Sequence, residues 1–338
     1  MKTYKKKGDK KIMLVTGLII FLVIAFLASL SFGSVKVSVR DVLGAFFSPD
    51  ISPVSTTIIR DVRLPRVIAG LLAGAGLSAA GVILQGVMNN ALASSNTIGV
   101  GSGAGFFVML ALAFFPGKVW LQPVFAFGGA LFATLTIFAL AYFADTSRIT
   151  IILAGITVSS FLSAGINLIK TLDTDIALNI NSFLIGSLSG VSVRDITVPG
   201  ILIVIAALVT LFLAGPLNIL GLGDDVAASL GMRVSLVRFI LMIVSSILAG
   251  CVVSYAGVLG FVGLIVPHIC RRLFGNDAKL LIPCSILLGA SFVMICDLLA
   301  RVLFSPYEIP TGIIMSFIGG PFFMYLLVIK KGGRRLNA

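Results

Sequence analysis

The sequence has little charge for its length, since only 11% of its 338 residues are Asp, Glu, Lys or Arg. Soluble globular chains average about 25% charged and about 45–50% apolar residues. Here the hydrophobic fraction is 58% and the mean hydropathy is +1.14. This balance excludes a soluble globular protein and a disordered chain, and a count of only four cysteines excludes a disulfide scaffold. What remains is a membrane protein with several spans.

Reactive side chains are equally scarce. His268 is the single histidine, so a histidine-based triad or metal cluster cannot form. The pair Gly117-Lys118 lacks the other residues of a phosphate-binding loop. The cysteines match no zinc or redox motif and are expected to be small membrane-embedded residues: Cys251, Cys270, Cys284 and Cys296. The sequence therefore predicts no catalytic residue, no metal site, no cofactor and no ATP hydrolysis by this chain.

Acidic residues are almost missing from the apolar runs. Asp297 lies near the end of one run, and Arg301 follows four residues later, a spacing that favours an ion pair on one helix face. Chains of intramembrane acids mark proton and sodium relays. Their scarcity disfavours an ion-coupled secondary transporter and favours a transporter driven by an external motor. A membrane-embedded enzyme or receptor subunit is disfavoured by the lack of His, Cys and paired-acid sites.

Apolar runs predict an all-α membrane protein with ten transmembrane helices in a single domain, 1–338. A run at 12–30 follows the basic N-terminus 1–11 and is interpreted as a retained first span rather than a signal peptide. The other nine runs lie at about 65–87, 97–115, 121–143, 149–169, 194–214, 235–256, 258–270, 279–300 and 310–329.

The distribution of charge predicts the orientation of these spans. The net charge of +12 could indicate a nucleic-acid partner, but the basic residues flank apolar runs, so membrane lipid and not nucleic acid is the expected contact. With both termini cytoplasmic, interior segments carry sixteen Lys and Arg against nine outside, and net charges of +11 and +1. This satisfies the positive-inside rule.

A short motif recurs 176 residues apart. Seven of eleven positions match between the segments 72–82 and 248–258, on spans two and seven. These spans are predicted to cross in opposite directions, which indicates an inverted-topology repeat. The alternative is a chance likeness between helices rich in Ala and Gly.

Three segments carry candidate functional residues. Arg60, Arg63 and Arg66 stand at the outer mouth of span two, against the positive-inside bias, either snorkelling to lipid phosphates or forming a docking patch for an acidic partner. A polar stretch at 85–96 is either an ordinary cytoplasmic loop or a segment bordering a pathway, and Ser94-Ser95-Asn96 could cap span three. The interior loop 215–235 should hold a helix of about seven residues.

That short helix has clear boundaries in the sequence. Asp224 and Asp225 suit a helix N-terminus, and Gly231 suits a C-cap. Val226 and Leu230, four residues apart, form an apolar stripe. We expect lipid headgroups or a partner subunit to cover this stripe.

These motifs together resemble the permease subunits of type II ABC importers, which move ferric siderophores, haem and cobalamin. The resemblance covers about residues 14–330, and its most specific part is the string from Gly260 to His268. The chain has Asn90-Ala91 where the family usually has Asn-Pro, and Gly319-Gly320 where it usually has Gly-Ala. The remaining matching motifs are Arg63-Leu64-Pro65-Arg66, Gly81-x-x-Leu84-Gln85-Gly86, Leu220 to Asp224, Leu230-Gly231, Asp297-x-x-Ala300-Arg301 and Pro321-Phe322-Phe323.

The resemblance implies an alternating-access permease that works as a homodimer with two cytoplasmic ATP-binding subunits and an extracytoplasmic substrate-binding protein. Ferric siderophore is the expected substrate, with haem or cobalamin as the alternative. Spans five and ten would line the pathway. The residues implied are Arg63, Arg66 and Arg301 for binding-protein docking, Asp224, Asp225, Val226, Ser229, Leu230 and Gly231 for coupling to the ATPase, and Gln85, Asn89, Asn90, Thr146 and Ser147 for the pathway or gate.

Overall fold

The computed structural model describes residues 2–33, 44, 56–144 and 147–332, and helices dominate these ranges. A π-helical turn, Ile58–Arg63, runs directly into α2. The helices of the described ranges are α1 Lys2–Ser31, α2 Leu64–Val87, α3 Val100–Phe114, α4 Gln122–Phe143, α5 Arg148–Leu172, α6 Thr174–Ile185, α7 Val193–Phe212, α8 Ala214–Leu220, α9 Asp224–Ser229, α10 Val234–Ala256, α11 Val262–Phe274, α12 Ala278–Val302 and α13 Thr311–Gly332.

Each of the ten predicted runs coincides with one helix: α1 to α5, α7, and α10 to α13. Within the described residues, seven of these helices are long and apolar enough to cross a membrane. The exceptions are α3 with 15 residues, α11 with 13, and α13, whose described apolar part ends at Tyr325. A full crossing needs about 20 residues. If α3 and α11 cross the membrane as predicted, the turns preceding them would have to supply part of each crossing.

The two copies of the repeated motif lie on helices that pack side by side and run antiparallel. The hydroxyl of Tyr255 on α10 donates to the carbonyl of Ala69 on α2 at 3.1 Å, while Gly76, further along α2, faces Val252. The partners of the two helices also correspond, because α2 packs on α12 and α10 packs on α4. In the order of the ten runs, α10 follows α2 by five positions and α12 follows α4 by five. This packing is what an inverted repeat requires.

Glycines set how closely the central helix α2 approaches its neighbours. A Cβ atom built on Gly74 would lie 2.0 Å from the carbonyl oxygen of Gly289 on α12, and one on Gly81 would lie 2.1 Å from that of Gly263 on α11. Small residues permit such backbone contact in lipid, where no hydrophobic force drives helices together. As a result α2 is the most enclosed of the candidate spans.

Two helices, α6 and α8, and the position of one cap differ from the expectation based on the sequence. Asp173 caps α6 by accepting hydrogen bonds from the backbone N–H groups of Asp175 and Ile176, both at 3.0 Å. Ser94 is the N-cap of a short 3-10 turn, Ser95–Ile98, and α3 starts only after Gly99. The expectation that Ser94-Ser95-Asn96 caps span three is therefore wrong by about one turn.

The bundle has two ends with different contents. The arginine end contains the C-termini of α1 and α12 and the N-termini of α2 and α13, which meet through Arg66, Asp297 and Thr311. The α9 end contains the N-termini of α5, α10 and α12 and the C-termini of α2 and α11. All candidate functional residues that the structure describes lie at one of these two ends.

Candidate functional site

Arg63, Arg66 and Arg301 come together at the arginine end, but their side chains are inside the protein. The exposed fractions of these three residues are only 4%, 6% and 3%. Arg63 donates to the carbonyls of Leu30 and Ser31 at the end of α1, at 2.7 and 2.8 Å. Their role in docking stays a prediction. These side chains do not snorkel to lipid, because they donate hydrogen bonds to oxygen atoms of the protein.

Asp297 is the centre of this cluster. Its carboxylate lies 3.0 Å from the Nε atom of Arg66 and 3.1 Å from that of Arg301, and the hydroxyl of Thr311 donates to it at 2.9 Å. The predicted Asp297–Arg301 ion pair is therefore confirmed, with a second arginine that the sequence analysis did not place there. Two guanidiniums and one carboxylate leave a local excess of positive charge.

Glu308 supplies the second carboxylate from the exposed segment between α12 and α13. Its Oε2 atom accepts hydrogen bonds from Arg66 at 2.7 Å and from the hydroxyl of Ser189 at 3.3 Å. Burial raises the pKa of Glu308, but the hydrogen bond and charge of Arg66 outweigh it, so the pKa lies below its usual range. The carboxylate is therefore charged at neutral pH. Together Glu308 and the arginines line a cavity of about 150 Å³.

At the α9 end, the polar stretch after α2 forms a tight capped turn. Asn89 ends the helix with a φ of 45°, and the side-chain oxygen of Asn90 accepts from the backbone N–H of Leu92 at 2.9 Å. Gln85 is 3% exposed, donates to the carbonyl of Gly263 at 2.9 Å and accepts from Arg271. Gln85 thus ties α2 to α11.

Gln85, Asn89 and Asn90 line a groove of about 720 Å³. The opposite wall of this groove comes from Asn218 on α8 and from Asp277, whose carboxylate accepts from the side-chain amide of Asn218 at 2.8 Å. The remaining predicted gate residues lie elsewhere: Ser147 caps α5 by accepting from the backbone N–H of Thr150 at 3.1 Å, and Thr146 lies outside the described residues. A pathway role for all five stays a prediction.

The short helix predicted in the interior loop is present as α9, and it begins at Asp224 as expected. Gly231 follows it with a φ of 81°, which only glycine adopts without strain. One face is buried through Ala227, whereas Val226 is 45% and Leu230 is 62% exposed. The apolar stripe is therefore open to a partner.

Asp224 is held by two arginines that the sequence analysis did not connect to it. Its carboxylate accepts from Arg148, the first residue of α5, at 2.8 Å and from Arg238, in the first turn of α10, at 2.8 Å. Arg238 is only 2% exposed. Arg238 lies inside an apolar run of the sequence, and a buried arginine needs an acid nearby. This requirement is the sequence signal that could have predicted its pairing with Asp224.

An open groove of about 590 Å³ lies between α6, α13 and the segment before α11. Leu184, Val258 and Phe317 give it apolar walls, and Asn96 and Ser316 supply the polar side chains among its described lining residues. Beside it, α5 exposes a polar stripe with helical spacing: Thr157, Ser160, Asn167 and Thr171. The hydroxyls of Thr157 and Thr171 donate to the carbonyls of Leu153 and Asn167 one turn earlier, at 2.9 and 2.8 Å. The hydroxyl of Ser160 and the amide of Asn167 are the groups of this stripe that lipid could not satisfy.

Comparisons with known proteins agree with this arrangement. A profile of the FecCD transport family matches residues 21–329. The Fe(3+)-hydroxamate import permease FhuB of Bacillus subtilis is 37% identical over 95% of this chain and 84% of its own length. The Fe(3+)-citrate import permease YfmE of the same species is 35% identical over 97% of this chain and 98% of its own.

A solved structure has the same fold as this chain. It is described as a metal-chelate type ABC transporter in an inward-facing conformation, is 33% identical, covers 94% of this chain and 99% of its own, and has a TM-score of 0.83.

Proposed function

Because the chain belongs to the FecCD transport family, we propose that it is the permease subunit of an ATP-driven importer that carries a ferric siderophore across the cytoplasmic membrane. It is a multi-pass membrane protein of a transport family and is not itself catalytic. The relatives named above import ferric hydroxamate and ferric citrate. Their names support an iron chelate over haem or cobalamin as the substrate.

The observation that carries the proposal is the exposed polar stripe of α5. Thr157, Ser160, Asn167 and Thr171 lie on one face of a helix that is long and apolar enough to span the membrane. Thr157 and Thr171 donate to carbonyls of the same helix, whereas the hydroxyl of Ser160 and the amide of Asn167 favour a border with water or protein, because lipid has no groups to satisfy them. One chain leaves the stripe and the neighbouring groove open, so a second copy would close the pathway. The working unit is thus a homodimer.

The energy source lies on other subunits in this proposal. The exposed stripe of Val226 and Leu230 on α9 suits a groove on an ATP-binding subunit, with one such subunit for each copy of the permease. The α9 end is then cytoplasmic, as are both chain termini. Asp225, Ser229 and Gly231 would contribute to the same contact.

Docking of a substrate-binding protein is assigned to the arginine end. Arg66 and Arg301 are already paired with Asp297 and Glu308. An acidic residue of the binding protein would therefore have to replace Glu308, the more exposed carboxylate, beside Arg66. Arginine suits such an exchange because its planar guanidinium donates two hydrogen bonds at once to a carboxylate.

Uptake of labelled chelates by proteoliposomes tests the proposal. The permease is reconstituted with its ATPase and binding protein, and the vesicles are offered ferric trihydroxamate, ferric citrate, haem or cobalamin. We expect ATP-dependent uptake of a ferric chelate and none of cobalamin. Uptake that persists without the ATPase would instead identify an ion-coupled transporter, and uptake of haem or cobalamin alone would overturn the substrate.

A further inference from the structure

One carboxylate joins three helices at the α9 end. The Oδ1 atom of Asp224, at the start of α9, accepts from the Nη2 atom of Arg148 at 2.8 Å. Both oxygens of Asp224 accept from the Nη2 atom of Arg238, at 2.9 and 2.8 Å. The N-termini of α5, α9 and α10 are therefore bound to a single charged centre.

Arg148 also reaches the helix that precedes α9. Its Nη2 atom donates to the carbonyl of Leu220, the last residue of α8, at 3.0 Å. The same guanidinium thus holds the end of α8 and the beginning of α9. Because hydrogen bonds to ionised partners are stronger than neutral ones, this is a firm attachment for so short a segment.

Helix α9 has few other attachments. It contains six residues and buries only Ala227 among them, and helices this short are not stable alone in water. Burial raises the pKa of Asp224, but its contacts with Arg238 and Arg148 outweigh burial, so the pKa lies below its usual range. The carboxylate is therefore charged at neutral pH and both ion pairs are formed.

The two arginines differ in how far they can move. The side chain of Arg238 is 2% exposed and is fixed inside the bundle, whereas that of Arg148 is 21% exposed. Arg148 also directly follows Ser147, the N-cap of α5. A displacement of α9 would therefore be passed through Asp224 and Arg148 to the first turn of α5, the helix that carries the polar stripe.

We propose that Arg148 and Asp224 are positioning residues that couple movement of α9 to α5, so that a partner acting on the exposed face of α9 moves the helix bordering the pathway. This inference rests on the proposed function, because it takes α9 as the contact with the ATPase. The exposure of Arg148 alone would not suggest this role, because its side chain is only 21% exposed.

The test measures chelate transported per ATP hydrolysed for Arg148→Gln, Arg148→Lys and wild type in proteoliposomes. Arg148 is the better target, since Asp224→Asn would leave the buried Arg238 without its carboxylate. We expect Arg148→Gln to keep ATPase binding and ATP hydrolysis but to lower the transport ratio about tenfold, the scale of one lost charge-assisted hydrogen bond. Arg148→Lys, which keeps the charge, should recover part of the ratio.

Arg272→Gln is the matched control, because Arg272 is an exposed arginine near the same end, on α11. It should leave the transport ratio unchanged. A wild-type ratio in Arg148→Gln, with transport intact, would overturn the inference while leaving the proposed function standing. Absence of ATP-driven transport in the wild type would instead contradict the proposed function itself.

Discussion

At the scale of single residues, buried charge at the arginine end depends on Asp297. This carboxylate is 2% exposed and lies within 3.1 Å of both Arg66 and Arg301. Glu308 also contacts Arg66, but its side chain is 32% exposed. Removing one partner from a buried pair is costly because the other charge stays buried without compensation.

We therefore expect Asp297→Asn to destabilise the folded protein by about 3–5 kcal/mol, whereas Glu308→Gln should cost about 1 kcal/mol or less. The measurement is thermal unfolding of the purified variants in detergent, followed by loss of the monodisperse species. Equal losses of stability in the two variants would contradict the central role of Asp297.

At the scale of helices, packing distance and exposed faces decide what each element does. The contact of α2 with α12 passes through Gly74 and Gly289, where backbones touch. By contrast, Gly128 on α4 has open space where a Cβ would be. In α9, likewise, Ala227 is buried, whereas Leu230, which directly follows the helix, is exposed.

Gly74→Ala should destabilise the bundle, because the added methyl group would meet a carbonyl oxygen that no rotamer change can move. Overpacking of this kind costs about 1–3 kcal/mol, and more where backbone must shift. Gly128→Ala is the control. It should be neutral or stabilise α4 by up to about 1 kcal/mol, because alanine lowers the backbone entropy of the unfolded chain. Unfolding temperatures of the two variants, compared with wild type, check this expectation.

Leu230→Asp should release the ATP-binding subunit while the permease stays folded, because Leu230 is 62% exposed in the isolated chain. Burying a charge at the contact should cost about 1–3 kcal/mol of binding free energy. Co-purification of the two subunits and substrate-stimulated ATP hydrolysis are the measurements, with Leu230→Ala as the milder control. If both are unchanged, α9 is not the coupling helix.

At the scale of the whole molecule, the ten described helices that match the predicted runs alternate in direction between the arginine end and the α9 end. Helix α1 packs along α12, and both helices end at the arginine end, so the N-terminal part of α1 lies towards the α9 end. Helix α13 starts at the arginine end through Thr311 and extends away from it. The N-terminus of α1 and the C-terminus of α13, as far as the structure describes them, are therefore directed to the α9 end.

We expect both termini to be cytoplasmic, in agreement with the charge difference of +11 against +1. Fusing a reporter after Ala338 tests this expectation. A fluorescent protein that folds only in the cytoplasm should be bright, and a phosphatase that is active only outside should be silent. The opposite pair of results would rule out the ten-span arrangement.

The sequence by itself determined the class of protein and the positions of its helices. Apolar runs of nearly span length leave the backbone no alternative to helix in lipid, so α1 to α5, α7 and α10 to α13 could be predicted. The boundaries of α9 were also local, because Asp224 and Gly231 act on the nearest turn. The motifs likewise sufficed to identify the family.

Only the tertiary structure decided which charges meet. Arg66 and Asp297 are separated by 231 residues in the sequence, and Arg148 and Asp224 by 76. No local pattern relates such residues, because they become neighbours only when the helices pack into the bundle. For the same reason the sequence could place the three arginines at one end but could not show that carboxylates there already pair with Arg66 and Arg301. Burial and partnership are properties of the packed bundle, since they depend on the distances between helices.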